Sequence, residues 1–362
     1  MFDNYLDKVL IIVLVCFLFV ALIMPIVIKI ALHVGAYKEP GERDIHKGII
    51  TRMGGIGIFA GFLLGYMLFA DQSVQMNSIL IGSFIVILTG LFDDIKPTKA
   101  RYKLIGQLLA ALVIVFYGNI LLDDVTAFGF ELEFGIWAYP ITLFFIIGCT
   151  NVINFIDGVD GLSGGISSIL FLTIGIIAFL QGRLDSLEII LTFIMLGATL
   201  GYLVHNFHPA KTFLGDAGAY FLGFIISIIS LLGFKGTMVT SLIVPLLVLT
   251  IPILDTIFAI LRRIIKKQSI AEADKEHFHH QFLKLTNSQV KTVLLIYGID
   301  ALFSAASILY AMNASKEASI IYIILLAMVI WFVLHTSIIS EKMSKKVLAF
   351  EKSNLKRLQK NK

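Results

Sequence analysis

Residues 136–180 read IWAYPITLFFIIGCTNVINFIDGVDGLSGGISSILFLTIGIIAFL: two apolar runs, 136–153 and 162–180, joined by a short polar turn. A bilayer core about 30 Å thick is crossed by roughly 20 apolar residues in helical form, so each run has the length of a membrane span. The turn holds two carboxylates and two carboxamides within ten residues, namely Asn151, Asn154, Asp157 and Asp160, and no Lys or Arg. At i, i+3 spacing the two asparagines share a helix face, and so do the two aspartates. Flanked by pure hydrocarbon, that is too much polarity for a simple turn. A calcium loop of the EF-hand kind does not fit, because its ligand spacing and terminal Glu are missing.

Outward from this stretch the apolar runs recur, at 9–32, 54–70, 77–92, 104–122, 186–204, 217–232, 239–261, 291–312 and 318–340. The composition agrees: the 362 residues are 58% hydrophobic and 15% charged, with a mean hydropathy of +0.91. A soluble domain is about 25% charged, and so few charges cannot cover a water-facing surface. The fold class is therefore an all-α polytopic membrane protein of eleven transmembrane helices. The first run is too long for a signal peptide and lacks a small-residue cleavage site. Cys16 and Cys149 lie in apolar runs and read as small hydrophobes. The segment 121–135, which alternates around Gly129, reads as a short β-hairpin outside the membrane.

Charge sets the orientation. Of the 29 Lys and Arg residues, 25 fall in or beside 33–53, 93–103, 205–216, 262–291 and the tail from 341; only Lys8, Arg183, Lys235 and Lys316 fall on the other side. By the positive-inside rule the N-terminus is outside and the C-terminus cytoplasmic. The basic tail 341–362 reads as an amphipathic segment near anionic headgroups. Nothing accompanies it that would bind nucleic acid.

Acids in membrane proteins persist where they are paired, watered or used, and here they gather at the cytoplasmic ends of spans. Asp93 and Asp94, followed by Arg101-Tyr102-Lys103, form a hard-oxygen pair suited to Mg²⁺ or to a base beside it. His205-Asn206-Phe207-His208 leads through Phe213 to Asp216, in the first turn of the next span, where an anion or an anionic ligand is favoured. Asp274-Lys-Glu-His277-Phe-His279-His280 lies in the largest cytoplasmic loop. No cysteine is near those histidines and His279 and His280 project differently, so imidazoles meeting phosphate or sugar hydroxyls fit better than zinc. Carboxylates for Mg²⁺, carboxamides, histidines, Lys and Arg at one membrane face are the set that phosphoryl transfer needs. A transporter would instead hold its ions near the midplane, within repeated halves; no repeated half is visible.

The motifs NFIDGVDGL, LFDDIKPT with YKLIGQ, FLGDAG and HFHH, in that spatial logic and together, resemble the bacterial polyprenyl-phosphate N-acetylhexosamine-1-phosphate transferases from about residue 33 to residue 285. Eleven spans, a cytoplasmic C-terminus and the DKEHFHHQF loop look like the teichoic-acid and O-antigen priming branch rather than the peptidoglycan enzyme. The resemblance implies UDP-N-acetylglucosamine as donor, undecaprenyl phosphate as acceptor and Mg²⁺ as cofactor, with Mn²⁺ as a substitute. It places the protein in the bacterial cytoplasmic membrane with its active site on the cytoplasmic face, and homodimers occur in the superfamily. Another UDP-N-acetylhexosamine, or UDP-MurNAc-pentapeptide, is the alternative donor. The family usually has a proline before the glycine pair of the first cytoplasmic loop, where this chain reads Arg52-Met53-Gly54-Gly55; Arg43, His46 and Arg52 are donor-binding candidates there.

By motif match the resemblance makes Asp216 a direct Mg²⁺ ligand, with Asn154 nearby. Asp93 and Asp94 would orient or help deprotonate the lipid phosphate, and Asp157 would lie beside the reacting phosphates. Asp160 would stand near the nucleoside, Phe213 stack on uracil, Asn206 contact the nucleotide and Lys103 pair with phosphate. Asn151 joins the substrate-binding set, and His277, His279 and His280 would contact the diphosphate or sugar. Residues 1–340 are expected to form one transmembrane catalytic domain with cytoplasmic loops 33–53, 93–103, 151–161, 205–216 and 262–291.

Overall fold

The structure, a computed structural model, describes residues 2–38, 48–127, 130–183, 185–234, 240–265, 277–312 and 315–336. Helices dominate: α1 (Phe2–Val34), α2 (Gly54–Phe69), α3 (Val74–Ile95), α4 (Ala100–Leu112), α5 (Ala138–Ile156), α6 (Leu162–Leu180) and α7 (Leu187–Asn206). They are followed by α8 (Gly215–Phe234), α9 (Thr240–Val248), α10 (Thr250–Ile265), α11 (Phe278–Thr286), α12 (Gln289–Ala311) and α13 (Ser315–His335). Among the described residues, nine helices are long and apolar enough to cross a membrane.

Among the described residues each of the eleven apolar runs contains helix, and two differ from the expected full spans. The run 54–70 is the 16-residue α2, too short to meet the span length. The run 239–261 is divided at Leu249 into α9 and α10. Pro252 explains the break: it has no N–H to give the carbonyl a turn earlier, but it fits the first turn of a new helix. The run 104–122 begins earlier, at Ala100, and closes in a π-helical turn, Val113–Tyr117.

Two small antiparallel pairs complete the described chain. β1 (Tyr37–Lys38) pairs with β2 (Ile50–Thr51), and β3 (Asp124–Ala127) pairs with β4 (Phe130–Glu133). The second pair is the expected hairpin: Ala127 faces Phe130 across a two-residue connection.

Burial rises toward the middle of the bundle. The span window of α8 is 89% buried and that of α13 only 22%, so α8 is the central post and α13 meets lipid. Glycine permits the tightest contact with that post: a Cβ on Gly55 would lie 2.1 Å from the Gly218 Cα, so α2 meets α8 backbone to backbone. No side chain caps α2. Its first N–H groups donate instead to the chain just before α8, Gly54 to the Phe213 carbonyl at 3.0 Å and Gly55 to that of Leu214 at 2.9 Å, which satisfies donors a helix start leaves open. In return Phe213 N–H donates to the Thr51 carbonyl at 2.7 Å. The segment ahead of α8 is thereby stitched to β2 and α2.

Candidate active site

The ends of α3, α5 and α7 and the starts of α4, α6 and α8 converge, because each pair is joined by a short turn at the same end of the bundle. The β3–β4 hairpin joins α4 to α5 at the opposite end. At the convergent end lies a cavity of about 460 Å³, lined by Asp94, Asn154, Asp157, Asp160, Asn206, Phe213, Asp216 and His280 together with Lys38, Arg52 and Gln289.

Asp216 is the hub. Its Oδ2 accepts from Lys103 Nζ at 2.8 Å and from the Tyr220 hydroxyl at 3.0 Å, and its Oδ1 accepts from Asn154 Nδ2 at 3.2 Å. Lys103 Nζ also donates to Asp93 Oδ2 at 2.7 Å, so one ammonium bridges two carboxylates. The other Asp93 oxygen accepts from both Thr98 N–H, at 2.7 Å, and the Thr98 hydroxyl, at 2.9 Å, closing the α3–α4 turn.

Its neighbour Asp94 does different work. It is buried, and its two oxygens accept from the N–H groups of Asp216 (2.8 Å) and Ala217 (3.0 Å). The orphan donors at the start of α8 are thus satisfied by a carboxylate from α3, at the positive end of the helix dipole. Because Asp94 caps α8, Asp216 is released from the capping role its position suggests and turns its side chain toward Lys103 and Asn154.

Asp157 ends α5, and its Oδ1 accepts from Ser163 Oγ at 2.5 Å. Burial pushes its carboxyl up to about 7; the Ser163 hydrogen bond opposes this, and the Asp216 charge adds to it. Asp160 accepts at Oδ2 from Ala210 N–H at 3.2 Å and meets His208 Nδ1 at 2.8 Å. Gly161 adopts a positive φ of 81° to start α6, a conformation side chains disfavour. Its N–H donates to Asn206 Oδ1 at 2.9 Å, while Asn206 Nδ2 donates to the Thr212 carbonyl at 2.8 Å. Asn206 therefore ties the α5–α6 turn to the chain before α8 while lining the cavity.

Asn151 and Gln107 form a reciprocal amide pair, with Asn151 Nδ2 donating to Gln107 Oε1 at 2.8 Å. That pair locks α4 to α5 one turn behind the cavity. The histidines divide. His280 lines the cavity, whereas His277 and His279 are buried, 6% and 3% exposed. Burial, with His280 and His277 close by, holds the His279 imidazole well below its usual value, so it is neutral. His277 Nδ1 lies 3.0 Å from Asp255 Oδ2. Arg43 and His46 fall outside the described residues, as do Asp274 and the basic tail.

Sequence reasoning gave no role to Lys38, Gln289, Ser163, Tyr220 and Asp255, and none to His208 within its polar segment. Asp255 carried a readable signal, as an acid inside the apolar run 239–261. Ser163 and Tyr220 stand six residues after Asp157 and four after Asp216, but as common hydroxyl side chains they do not stand out; Lys38, Gln289 and His208 are brought in by long-range packing.

Residues 76–234, from α3 through α8, match glycosyl transferase family 4. A Bacillus subtilis (strain 168) protein named as a probable undecaprenyl-phosphate N-acetylglucosaminyl 1-phosphate transferase is 41% identical over 313 residues, 85% of this chain and 86% of the relative. The chain belongs to the polyprenyl-phosphate N-acetylhexosamine-1-phosphate transferases. A decaprenyl-phosphate N-acetylglucosaminephosphotransferase of Mycobacterium tuberculosis (strain H37Rv) is 32% identical over 317 residues, 78% of each chain. The undecaprenyl-phosphate alpha-N-acetylglucosaminyl 1-phosphate transferase of Escherichia coli O157:H7 is 30% identical over 300 residues, 81% of each chain. The protein is a multi-pass membrane transferase, and the family-matched segment contains the whole carboxylate network around Asp216.

Proposed function

We propose that the protein transfers N-acetylglucosamine 1-phosphate from UDP-N-acetylglucosamine to undecaprenyl phosphate, releasing UMP, at the cytoplasmic face of the bacterial inner membrane. This is the first membrane step of a cell-envelope polymer of the teichoic-acid or O-antigen type. The observation that carries the reading is the Asp216 hub, a carboxylate shared by Lys103, Asn154 and Tyr220 on the wall of a cavity at the end of a membrane bundle. Such a cavity opens to a water-soluble nucleotide sugar, while the surrounding helices meet a lipid. The names of the Bacillus and Escherichia relatives support the donor and the acceptor.

In the proposed reaction an oxygen of the lipid phosphate attacks the β-phosphorus of the donor, and the bond from that phosphorus to the bridging oxygen of UMP breaks. Asp157, with its carboxyl near neutrality, is suited to take a proton from the attacking phosphate. Lys103 holds Asp93 and Asp216 in register and offers positive charge to phosphate oxygens. Arg52 and Lys38 add cationic lining for the diphosphate, and Phe213 offers a ring for the base.

Mg²⁺ fits this site. Among the described residues no three His, Cys, Asp or Glu side chains stand together as a ready cage. Mg²⁺ does not ask for one: it is bound by one or two carboxylates plus substrate phosphates. Asp216, with the Asn154 carboxamide beside it, supplies the protein's share of that hard-oxygen set, and the ion when bound would neutralise charge on the diphosphate.

The test is to supply undecaprenyl phosphate, Mg²⁺ and UDP-N-acetylglucosamine to the purified protein. UMP and the lipid diphosphate sugar should appear together and should disappear with EDTA. Turnover only with another UDP-sugar would change the donor and keep the reaction class. Inversion at a chiral β-phosphorus is expected for the single displacement; retention would overturn it in favour of a covalent aspartyl intermediate.

A further inference from the structure

Asp255 sits in α10, is 1% exposed and belongs to no motif of the convergent turns. A buried carboxylate costs free energy unless it is paired and hydrogen-bonded, so it is retained where it has a partner. Both of its oxygens are committed to one short helix. Oδ1 accepts from Phe278 N–H at 3.0 Å, and Oδ2 lies 3.0 Å from His277 Nδ1.

The first of these bonds caps α11 from outside. His277 is the N-cap residue of that helix and its side chain makes no capping bond, so the first N–H groups need an acceptor from elsewhere. The second fixes a ring. A carboxylate at Nδ1 sets the proton there and turns Nε2 of the same imidazole outward, the arrangement by which a carboxylate orients a working histidine. From that ring the order passes on: the His277 and His279 rings lie parallel at 5.6 Å and 4°, and those of His279 and His280 are 4.3 Å apart. His279 rests on the carboxylate turn, since a Cβ on Gly158 would fall 2.7 Å from its Nε2. His280 is in the cavity wall with Asp157 and Asp160.

Docking of α11 does not depend on Asp255 alone. Phe278 packs on Phe258, and Phe282 stacks on Phe332 at 4.6 Å, which gives the short helix its own apolar anchorage. What the carboxylate adds is angular: the rotation of His277 and, through the stacked His279 ring and its tilted contact with His280, the register of His280.

We propose that Asp255 is a positioning residue of the transfer reaction, acting through His277 to set the histidine row against the nucleotide-sugar phosphates. This rests on the function proposed above, and the test separates the two. The kcat and KM for UDP-N-acetylglucosamine are measured by UMP release for Asp255→Asn, His277→Ala and the double variant. Asp255→Asn should lower kcat/KM by about 10- to 100-fold, the range seen when the partner of a working histidine is removed. In the His277→Ala background the same change should cost less than about threefold, because residues acting as one unit do not add. An effect under about twofold in the single variant, or one that multiplies fully in the double variant, overturns the proposal.

A second readout needs no turnover. In ¹⁵N spectra of histidine-labelled protein, with the signal assigned by its loss in His277→Ala, the His277 ring should hold its proton on Nδ1 in the unaltered protein, and the form with the proton on Nε2 should grow in Asp255→Leu, where no carboxylate faces Nδ1. A His277 ring that holds its proton mainly on Nε2 in the unaltered protein would overturn the proposal even if the donor turned out to be another sugar. Absence of UMP release from the unaltered protein, with the His277 proton on Nδ1, would fault the proposed reaction and leave the Asp255–His277 arrangement standing.

Discussion

The two ends of the bundle use the same residue types in opposite ways. At the hairpin end Lys8 meets Asp185 at 3.3 Å with side chains 45% and 69% exposed. At the cavity end Lys103 meets Asp93 at 2.7 Å and Asp216 at 2.8 Å, with side chains 24%, 14% and 25% exposed. The first is a solvated pair of the kind worth about 0–1 kcal/mol. The second places two carboxylates on one ammonium, a partly dehydrated arrangement that stability alone does not call for. Shelter and sharing, rather than the presence of charge, separate a working site from a surface.

That contrast can be broken experimentally, most severely at its hub. Asp216→Ala should cut UMP release at least about 1,000-fold while the protein remains folded by circular dichroism, because several groups are aimed at this one carboxylate. Substantial turnover would remove Asp216 from the chemistry. Lys103→Met should follow, with a loss on the order of 100-fold in kcat, since Asp93 and Asp216 would then face each other without the shared cation. Gly55→Ala tests the scaffold instead: its new Cβ meets the backbone of Gly218, and overpacking of this kind costs about 1–3 kcal/mol, which should appear as a lower Tm in detergent.

Asp157 gives a pH signature. Its folded carboxyl titrates at about 7, above the ordinary value of about 3.9, so the folded state binds more protons between those values. Stability must then fall as pH rises through that window. Without added divalent cation, Asp157→Asn should therefore gain Tm relative to the unaltered protein between pH 4 and pH 8, by roughly a few degrees. A constant difference would mean that the burial is relieved in solution. The smallest effect belongs to the far end: Lys8→Ala should change stability by less than about 1 kcal/mol and leave UMP release as it was.

The spans were legible because hydrocarbon length and helix rise leave a chain little choice, and even the hairpin showed in the alternation around Gly129. The acids were legible because each stands out against apolar flanks. What could not be seen was how they divide their labour. Asp93 and Asp94 are adjacent and look like a pair, yet one closes a turn and bridges Lys103, and the other caps a helix through an N–H 122 residues later. Asn151 and Asn154 share a helix face, but Asn151 is spent on Gln107 and Asn154 reaches Asp216. Those outcomes depend on which helix packs beside which, and periodicity within one segment carries no such information. The break at Leu249 was hidden for a simpler reason: Pro252 lies in an apolar run that hydropathy reads as continuous.

The capping of α8 by Asp94 also bears on how the protein is made. A chain that enters the membrane from its N-terminus delivers α3 well before α8, so the carboxylate waits while four more helices are synthesised. The backbone amides it will accept from arrive on the same segment as Asp216. The last acid of the network and the groups that settle an earlier one are therefore delivered together. A nascent chain stalled before α8 has neither the hub nor the clasp, and the insertion of one helix completes both at once.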